Sequence, residues 1–364
     1  MKINNLSLRN FRNIAETNLS FSDHLNIFYG DNGHGKTNIV ESIVYLSSAR
    51  SFRVNDDKNL VRINQLFAEV KGTITNETKS KILRSVISEQ GKYFEVDHQN
   101  LNLMSDFIGH CNVVLFNPDD LNFFSASPKF RRREIDYEIG KMSKKYLTNL
   151  TLANKYLKER NAYLKNSHVD LDYLEIITIK LVEVSYEIMS IRSVFVDKIS
   201  PLVNAYYQKL SGKSIPLSLH YESLLAKDNF TQEALLNIYK NNVQRDLDFK
   251  STNQGFQRED FIFKIGDVLV SNVASQGQKR MIMIAYKLAV IDLFYKRNKS
   301  FPIFCLDDLF SELDEEKRDR VLNLLPESMQ VFITTTDLSF VESKKNKTVF
   351  KVVEGNVFKE ENNG

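Results

Sequence analysis

The amino-acid sequence predicts an α/β protein with mixed sheets, interrupted by an inserted, mainly helical lobe that contains a short antiparallel helical hairpin. Three observations predict this fold. Strand-like patterns and a glycine-rich loop open the chain, long helical patterns fill its middle, and strands alternate with helices again near its end. We therefore expect a discontinuous domain at residues 1–125 and 265–364 and an inserted domain at residues 126–264.

The first third of the chain has strand patterns. Apolar and polar residues roughly alternate from Lys2 to Phe28, which predicts strands that lead into a glycine turn. Residues Lys36 to Ser47 are expected to form a helix, and Leu60 to Val96 a series of short strands. Turns are expected at three residues that commonly interrupt strands: Gly72, Asn76 and Gly91.

The middle of the chain has helical periodicity. Its clearest apolar series alternates spacings of three and four: Leu174, Ile177, Leu181, Val184, Ile188, Ile191 and Phe195. A weaker series precedes it: Tyr146, Leu150, Ala153, Leu157 and Leu164. The polar residues 166–172 separate the two, which predicts an antiparallel hairpin of helices about four to seven turns long. Two helices packed in a domain core and a projecting coiled coil both fit this pattern.

The last ninety residues return to an α/β pattern. Helices are expected at Lys279–Tyr295 and Glu315–Leu325, and strands at Phe301–Leu306 and Gln330–Thr335. Apolar strands that alternate with helices are typical of a sheet covered on both faces. We expect these elements to complete the first domain.

Composition narrows the possible functions. The chain has 364 residues, 42% of them hydrophobic, and 49 basic against 46 acidic residues give a net charge of only +3. Any nucleic-acid surface must therefore be a local patch. Cys111 and Cys305 lie far apart and have no metal-ligand spacing with the histidines. With no signal-like or membrane-spanning apolar run, we expect a cytoplasmic protein without a membrane partner.

The strongest motif is a phosphate-binding loop that fits G-x-x-x-x-G-K-[ST]: Gly30, Asp31, Asn32, Gly33, His34, Gly35, Lys36 and Thr37. Its glycines allow backbone N–H groups to point at phosphate oxygens. Lys36 is predicted to reach the β- and γ-phosphates, and the Thr37 hydroxyl to bind Mg²⁺. The alternative is a glycine-rich turn that binds nothing. The motif admits ATP or GTP, and the lack of an N-K-x-D segment favours ATP.

An apolar segment that ends in two acids is the second motif. Asp307 and Asp308 follow Phe301–Leu306, where unpaired charge is costly unless a cation or a reaction needs it. Asp307 is predicted to bind Mg²⁺, and Asp308 to orient or deprotonate the attacking water. Two acids that merely cap a strand are the alternative.

A second anion-binding helix start is expected at Ser275, Gln276, Gly277 and Gln278, which we call the signature segment. Ser275 is a plausible N-cap, and Gly277 permits close backbone approach. One nucleotide bound by one chain has little need for two such sites.

Together these motifs resemble the ABC-type ATPase head of SMC-like proteins, and among them the RecF family. The resemblance runs almost end to end through these segments: Leu8–Asn13, Phe116–Leu121, Arg131–Arg133 and Thr334–Asp337. It implies an ATP-dependent homodimer in which the signature segment of one chain seals the γ-phosphate held by the other. It also implies nucleotide contacts from Arg12 and Asn13, and a dimer seam lined by residues 311–314.

The resemblance further implies binding of gapped or junction DNA, the partners RecO and RecR, and promotion of RecA loading. Asp308 stands where most ABC ATPases have glutamate, and Thr335 or Thr336 where many have histidine. Slow hydrolysis is therefore expected. Another SMC-like head, from an anti-phage system or a transporter, and a nucleotide-dependent DNA-binding protein without turnover are the alternatives.

Basic residues that could contact DNA phosphates form two groups: Lys129, Arg131, Arg132 and Arg133, then Lys141, Lys144, Lys145, Lys155, Lys158 and Arg160. Phosphate contact is one interpretation. A solvated helix face is the other, because acidic residues such as Glu134 and Glu159 lie among them.

Overall fold

The computed structural model describes four stretches of the chain: residues 1–77, 79–310, 313–339 and 347–360. The chain divides into two compact units. The first contains residues 1–120, 209–212 and 283–364, and the second contains residues 121–208 and 213–282. The expected functional domains, with boundaries near residues 125 and 265, stay a prediction.

The first 120 residues form these elements: β1 (Lys2–Phe11), β2 (Ile14–Ser20), β3 (Leu25–Tyr29), α1 (Lys36–Ser48), β4 (Phe67–Asn76), β5 (Lys79–Ser88), β6 (Gly91–Val96), β7 (Gln99–Asn100), α2 (Met104–Phe107) and β8 (Val113–Phe116). The middle of the chain forms α3 (Pro128–Met142), α4 (Lys144–Tyr163), α5 (Leu171–Ser211), β9 (Leu217–Glu222), α6 (Gln232–Asn241), α7 (Val243–Phe249), β10 (Asp260–Ile265), β11 (Val268–Leu269) and α8 (Val270–Val273). The remainder forms α9 (Gln276–Asn298), β12 (Ile303–Leu306), α10 (Glu315–Asn323), β13 (Val331–Thr335), β14 (Lys347–Val353) and β15 (Asn356–Lys359).

Two six-stranded sheets build the first unit. One is antiparallel, in the order β2-β1-β4-β5-β6-β7. The other has the order β15-β14-β3-β13-β12-β8 and is parallel except for β15. Its strand β13 lies between β3 and β12, so the loops that follow β3 and β12 share one edge of the sheet.

Helix α1 packs between these two sheets. Its apolar residues, such as Ile43, join one core with Val70 of the antiparallel sheet and Phe332 of the parallel sheet. This burial on several sides explains why α1 shows almost no polar face. The phosphate-binding loop is thereby attached to a rigid part of the fold.

The expected turn at Gly72 is wrong, because Gly72 lies inside β4 and pairs with Leu6 and Leu83. A side chain there would place its Cβ 2.6 Å from Leu46 Cδ1 on α1. The glycine therefore permits close helix-to-sheet packing rather than a turn.

The predicted helical hairpin is present in the second unit. Lys145 of α4 pairs with Glu187 of α5, and Arg160 of α4 donates to Thr178 of α5. The residue nearer the C-terminus of α4 contacts the residue nearer the N-terminus of α5, so the helices are antiparallel. The expected length was wrong for α5, which is one helix of 41 residues that continues through Pro201.

The hairpin is packed into its unit rather than free of it. Arg160 is fully buried and pairs with Asp246 of α7 at 2.7 Å, and Arg192 of α5 pairs with Asp136 of α3 and with Glu259. The first of the two alternatives for this segment is therefore the one observed. Buried guanidinium groups of this kind are stable only when carboxylates and hydrogen-bond acceptors surround them.

Within the described stretches, no helix is both long enough and apolar enough to cross a bilayer. Cys111 and Cys305 are buried, and neither forms a disulfide.

Candidate nucleotide-binding site

The phosphate-binding loop connects β3 to α1. Gly30, Gly33 and Gly35 have φ angles of 149°, 82° and 113°, a region that disfavours other residues. At Gly30 an added Cβ would lie 2.3 Å from the Val352 carbonyl oxygen, and at Gly35 it would lie 2.8 Å from Asn13 Oδ1. The loop is therefore held closely between β14 and the residues after β1, and only glycine fits at its ends.

Lys36 begins α1 and is buried beneath the loop. Its Nζ donates to the Gly30 and Asp31 carbonyl oxygens at 2.7 and 2.9 Å. Burial lowers the pKa of Lys36, although the carboxylates of Asp308, Asp307 and Asp31 act in the opposite direction. The ammonium group is thus fixed where a bound polyphosphate would meet it.

The tip of the loop is open to solvent. Asp31, Asn32 and Gly33 are exposed, whereas His34 is half-buried. The His34 carbonyl accepts hydrogen bonds from Asn13 Nδ2 and from the Gly355 N–H. The loop is consequently supported from outside while its exposed N–H groups remain accessible.

Thr37 and Asp307 meet although they lie far apart in sequence. The Thr37 hydroxyl donates to Asp307 Oδ1 at 3.0 Å, and the Thr334 hydroxyl donates to the same oxygen at 2.7 Å. Asp307 is 4% exposed. Burial raises its pKa, while the two hydroxyl donors partly offset that effect.

These oxygens suit Mg²⁺. In an octahedral site with metal–oxygen distances of about 2.05 Å, neighbouring ligand oxygens lie about 2.9 Å apart. The Thr37 hydroxyl and Asp307 carboxylate oxygens are 3.0 Å apart. A dication would also stabilise the buried carboxylate in its ionised form. No group of three or more His, Cys, Asp or Glu side chains arranged for a metal occurs among the described residues.

Asp308 has an unusual backbone conformation. Its φ angle is +50°, in the left-handed region, and its N–H donates to Thr334 Oγ1 at 2.9 Å. Aspartate tolerates this region better than most residues, but it still costs free energy that the surroundings must offset. The conformation allows two consecutive carboxylates to follow one strand, with Asp307 buried and Asp308 partly exposed.

Arg12 and Asn13, which follow β1, both contact α1, and Asn13 also contacts the phosphate-binding loop. Arg12 forms a bidentate pair with the fully buried Glu41 of α1, with N–O distances of 2.9 and 2.8 Å. Asn13 Oδ1 accepts from Asn38 Nδ2 at 2.8 Å. Asn13 therefore supports the loop and Arg12 anchors α1, and the expected contacts of both residues with a nucleotide stay a prediction.

Sequence reasoning missed Arg53, which belongs to the same cluster. Its guanidinium donates to Asn38 Oδ1 at 2.8 Å and lies 3.6 Å from Glu41 Oε2. It is close enough to Asp307 to favour the ionised carboxylate. Nothing in the local spacing marks Arg53, because it follows the far end of α1 and reaches the loop only in three dimensions.

The sequence indicates no role for Thr334 beyond its place in the Thr334–Asp337 segment. In the structure it contacts both strand-end carboxylate residues, Asp307 and Asp308. Thr335 is buried, and its hydroxyl donates to the Asp337 carbonyl oxygen. Thr336 is exposed.

The signature segment forms a capped helix start in the second unit. Ser275 Oγ accepts from the Gln278 N–H at 3.2 Å, and Gln278 Oε1 accepts from the Ser275 N–H at 2.8 Å. This reciprocal pair is a capping box, which satisfies two donors at the start of α9. Ser275, Gln276 and Gly277 are exposed, and apart from its own helix backbone and chain neighbours no described atom lies within 4 Å of a Cβ built on Gly277.

The predicted seam segment, residues 311–314, is only partly described. Ser311 and Glu312 lie outside the described residues. Leu313 is buried, and Asp314 is exposed and caps α10 by accepting from the Lys317 N–H.

Comparison with known proteins identifies the family. Residues 2–358 match the family described as "RecF/RecN/SMC N terminal domain". The DNA replication and repair protein RecF of Lacticaseibacillus paracasei is 37% identical, with 98% of this chain and 99% of the relative covered. This chain belongs to the RecF family. RecF of Streptococcus thermophilus is 35% identical over 99% of this chain and its own full length.

Solved RecF structures match the same length. One, described as the recombination mediator protein RecF-ATP in the RecFOR pathway, is 29% identical with a TM-score of 0.90, covering 99% of this chain and 97% of that one. An Smc head bound to ScpA has a TM-score of 0.60 at 18% identity, covering 100% of this chain and 98% of that one, so it shows the shared fold alone. The predicted fold, an ABC-type P-loop ATPase head with a helical insertion, is confirmed.

Proposed function

We propose that this RecF-family protein is an ATP-dependent DNA clamp of recombinational repair and replication restart. Two chains bind ATP between them, close on gapped or junction DNA, and reopen after slow hydrolysis. The clamp promotes RecA loading together with RecO and RecR in the cytoplasm. A solved relative described as RecF-ATP supports the choice of nucleotide.

One observation carries this proposal: the chain has two separate helix starts of the kind that binds anions. The first is the loop before α1, where Lys36, Thr37 and Asp307 converge. The second is the capped and exposed start of α9 at Ser275. Both present backbone N–H groups and a helix N-terminus. A nucleotide held by the first start in one chain and sealed by the second in its partner uses both.

In this proposal Lys36 and the loop amides hold the phosphates, and Arg12 and Asn13 keep the loop in place. Mg²⁺, held by Thr37 and Asp307, supplies charge neutralisation at the phosphates. Asp308 orients the attacking water as general base. Its carboxylate is one methylene shorter than glutamate, and threonine replaces histidine at 335 or 336, which suits a slow switch rather than a motor.

The proposal is tested by measuring mass in solution by light scattering with ATP, with ADP and without nucleotide. We expect a dimer only with ATP, and tighter binding of gapped duplex DNA in the same state. Phosphate release with and without this DNA then separates a slow ATPase from a protein that binds nucleotide without turnover. A chain that stays monomeric with Mg²⁺-ATP contradicts the clamp.

A further inference from the structure

Several basic residues that could contact DNA are occupied inside the second unit. Arg131 forms a bidentate pair with Asp260, at 2.7 and 2.6 Å, and Arg132 donates to the Glu259 backbone carbonyl. Arg160 is fully buried against Asp246. These guanidinium groups hold the fold together, so any phosphate contact must use other residues.

Helix α4 has one buried face and one exposed basic face. Tyr146, Ala153 and Arg160, spaced by seven residues, are buried. The opposite face carries exposed residues at spacings of three and four, which we call the α4 stripe: Lys144, Thr148, Thr151, Lys155 and Lys158. The stripe extends about 21 Å along the helix axis.

Two lysines of the α4 stripe, Lys155 and Lys158, have little compensation of their charge. Glu159 is the sole acidic residue of α4. Among the residues that the structure describes, no carboxylate lies within ion-pair distance of Lys155 or Lys158; by contrast, Lys145 pairs with Glu187. Between Lys144 and Lys155 the stripe carries the uncharged residues Thr148 and Thr151, whose hydroxyls donate to backbone carbonyls one turn earlier.

We propose that the α4 stripe binds the phosphate backbone of duplex DNA in the closed clamp. This inference rests on the proposed function and adds the surface that contacts DNA. Exposed lysines on one helix face, with short polar residues between Lys144 and Lys155, suit a polyanion, for which contact is mainly electrostatic. Protein interfaces usually bury aromatic or aliphatic anchors, and the stripe has none.

The test compares Lys155→Gln/Lys158→Gln with a control that removes the same charge from α5, Lys180→Gln/Lys198→Gln. Both control lysines are exposed. Binding to a fluorescent gapped duplex is measured by anisotropy with Mg²⁺-ATP at several salt concentrations. The α4 double variant is expected to bind about tenfold more weakly at moderate salt. Its plot of log affinity against log salt concentration should have a slope smaller by about 2.

Melting temperature, ATP binding and ATP-dependent dimer mass should equal those of the wild type for both variants. If the wild type fails to dimerise with ATP or to bind the duplex, the proposed function is wrong, and the inference about the stripe is overturned with it. An unchanged salt slope in the α4 variant, or an equal loss in the α5 control, overturns the assignment. If the α4 variant keeps the salt slope of the wild type but no longer binds added RecR or RecO protein, the stripe is a protein-binding surface instead.

Discussion

The hydroxyl group of Thr37 donates to Asp307, 270 residues further along the chain, at 3.0 Å. This bond joins the first turn of α1 to the end of β12 across the edge of the parallel sheet. Mg²⁺ prefers oxygen ligands, and the separation of these two oxygens fits two neighbouring positions around an octahedral ion. The phosphate-binding loop and the strand-end carboxylate thus form one site.

Replacing Lys36 with arginine tests the phosphate-binding loop. The longer, planar guanidinium cannot occupy the buried position beside the Gly30 and Asp31 carbonyl oxygens in the same way. We expect at least about tenfold weaker ATP binding or turnover, with a melting temperature close to that of the wild type. Calorimetric titration with Mg²⁺-ATP and thermal unfolding measure the two effects, and ATP affinity and turnover equal to the wild type would contradict the role of Lys36.

Asp307→Asn should slow hydrolysis strongly and yet stabilise the nucleotide-free protein. The amide removes a metal ligand, so we expect turnover to fall at least about 100-fold. It also removes a buried ionised group, while the amide oxygen can still accept from Thr37 and Thr334. If the variant without Mg²⁺ has a lower melting temperature than the wild type without Mg²⁺, the expected stabilisation is wrong.

The pH dependence of stability should distinguish the wild type from Asp307→Asn. Because burial raises the pKa of Asp307, the folded state holds its proton more tightly than the unfolded state. The cost of ionising Asp307 is absent below the unfolded pKa, about 3.9, and grows as pH rises to the folded pKa. The free energy of unfolding of the wild type should therefore fall relative to Asp307→Asn over that window and run parallel above it. Urea unfolding of both proteins across acidic and neutral pH measures this difference.

Ser275→Arg tests the seam between two chains. Ser275 is exposed at the start of α9, so a large cation there should obstruct a partner chain while leaving the loop before α1 intact. We expect normal ATP binding and no ATP-dependent dimer by light scattering. Ser275→Ala is the control: it loses the cap, which costs about 1 kcal/mol, but adds no bulk and should still dimerise. A dimer of wild-type affinity in the arginine variant would exclude the proposed seam.

Arg192→Met should strongly destabilise the second unit. Arg192 is buried and bonds Asp136, Glu259 and the Phe256 carbonyl. Removing it leaves buried carboxylates without a cation, at a cost of about 3–5 kcal/mol. Lys145→Met breaks the exposed pair with Glu187 and should cost less than about 1 kcal/mol. Urea unfolding measures the free energy of unfolding of both variants. Similar losses would show that the Arg192 ion pairs do not stabilise the second unit more than an exposed pair does.

Local sequence patterns predicted much of this fold. The loop from Gly30 to Thr37, the helix after it and the strand before Asp307 are each specified by consecutive residues whose periodicity and turn chemistry agree. The Ser275 cap is likewise a four-residue signal. The predicted turn at Gly72 was wrong because a sequence does not distinguish a glycine inside a strand from a glycine in a turn until the helix packed against it is known.

By itself, the sequence determined which segments carry phosphate-binding and metal-binding chemistry, because that chemistry depends on a few adjacent residues. Tertiary structure alone decided that β13 lies between β3 and β12, and thus that Thr37, Asp307 and Thr334 meet. It also decided that Arg53 joins Glu41, that Arg131 pairs with Asp260 and that Arg160 is buried against Asp246. Pairing between distant residues depends on how whole elements pack to bury apolar surface and satisfy charge, and no local pattern records that outcome.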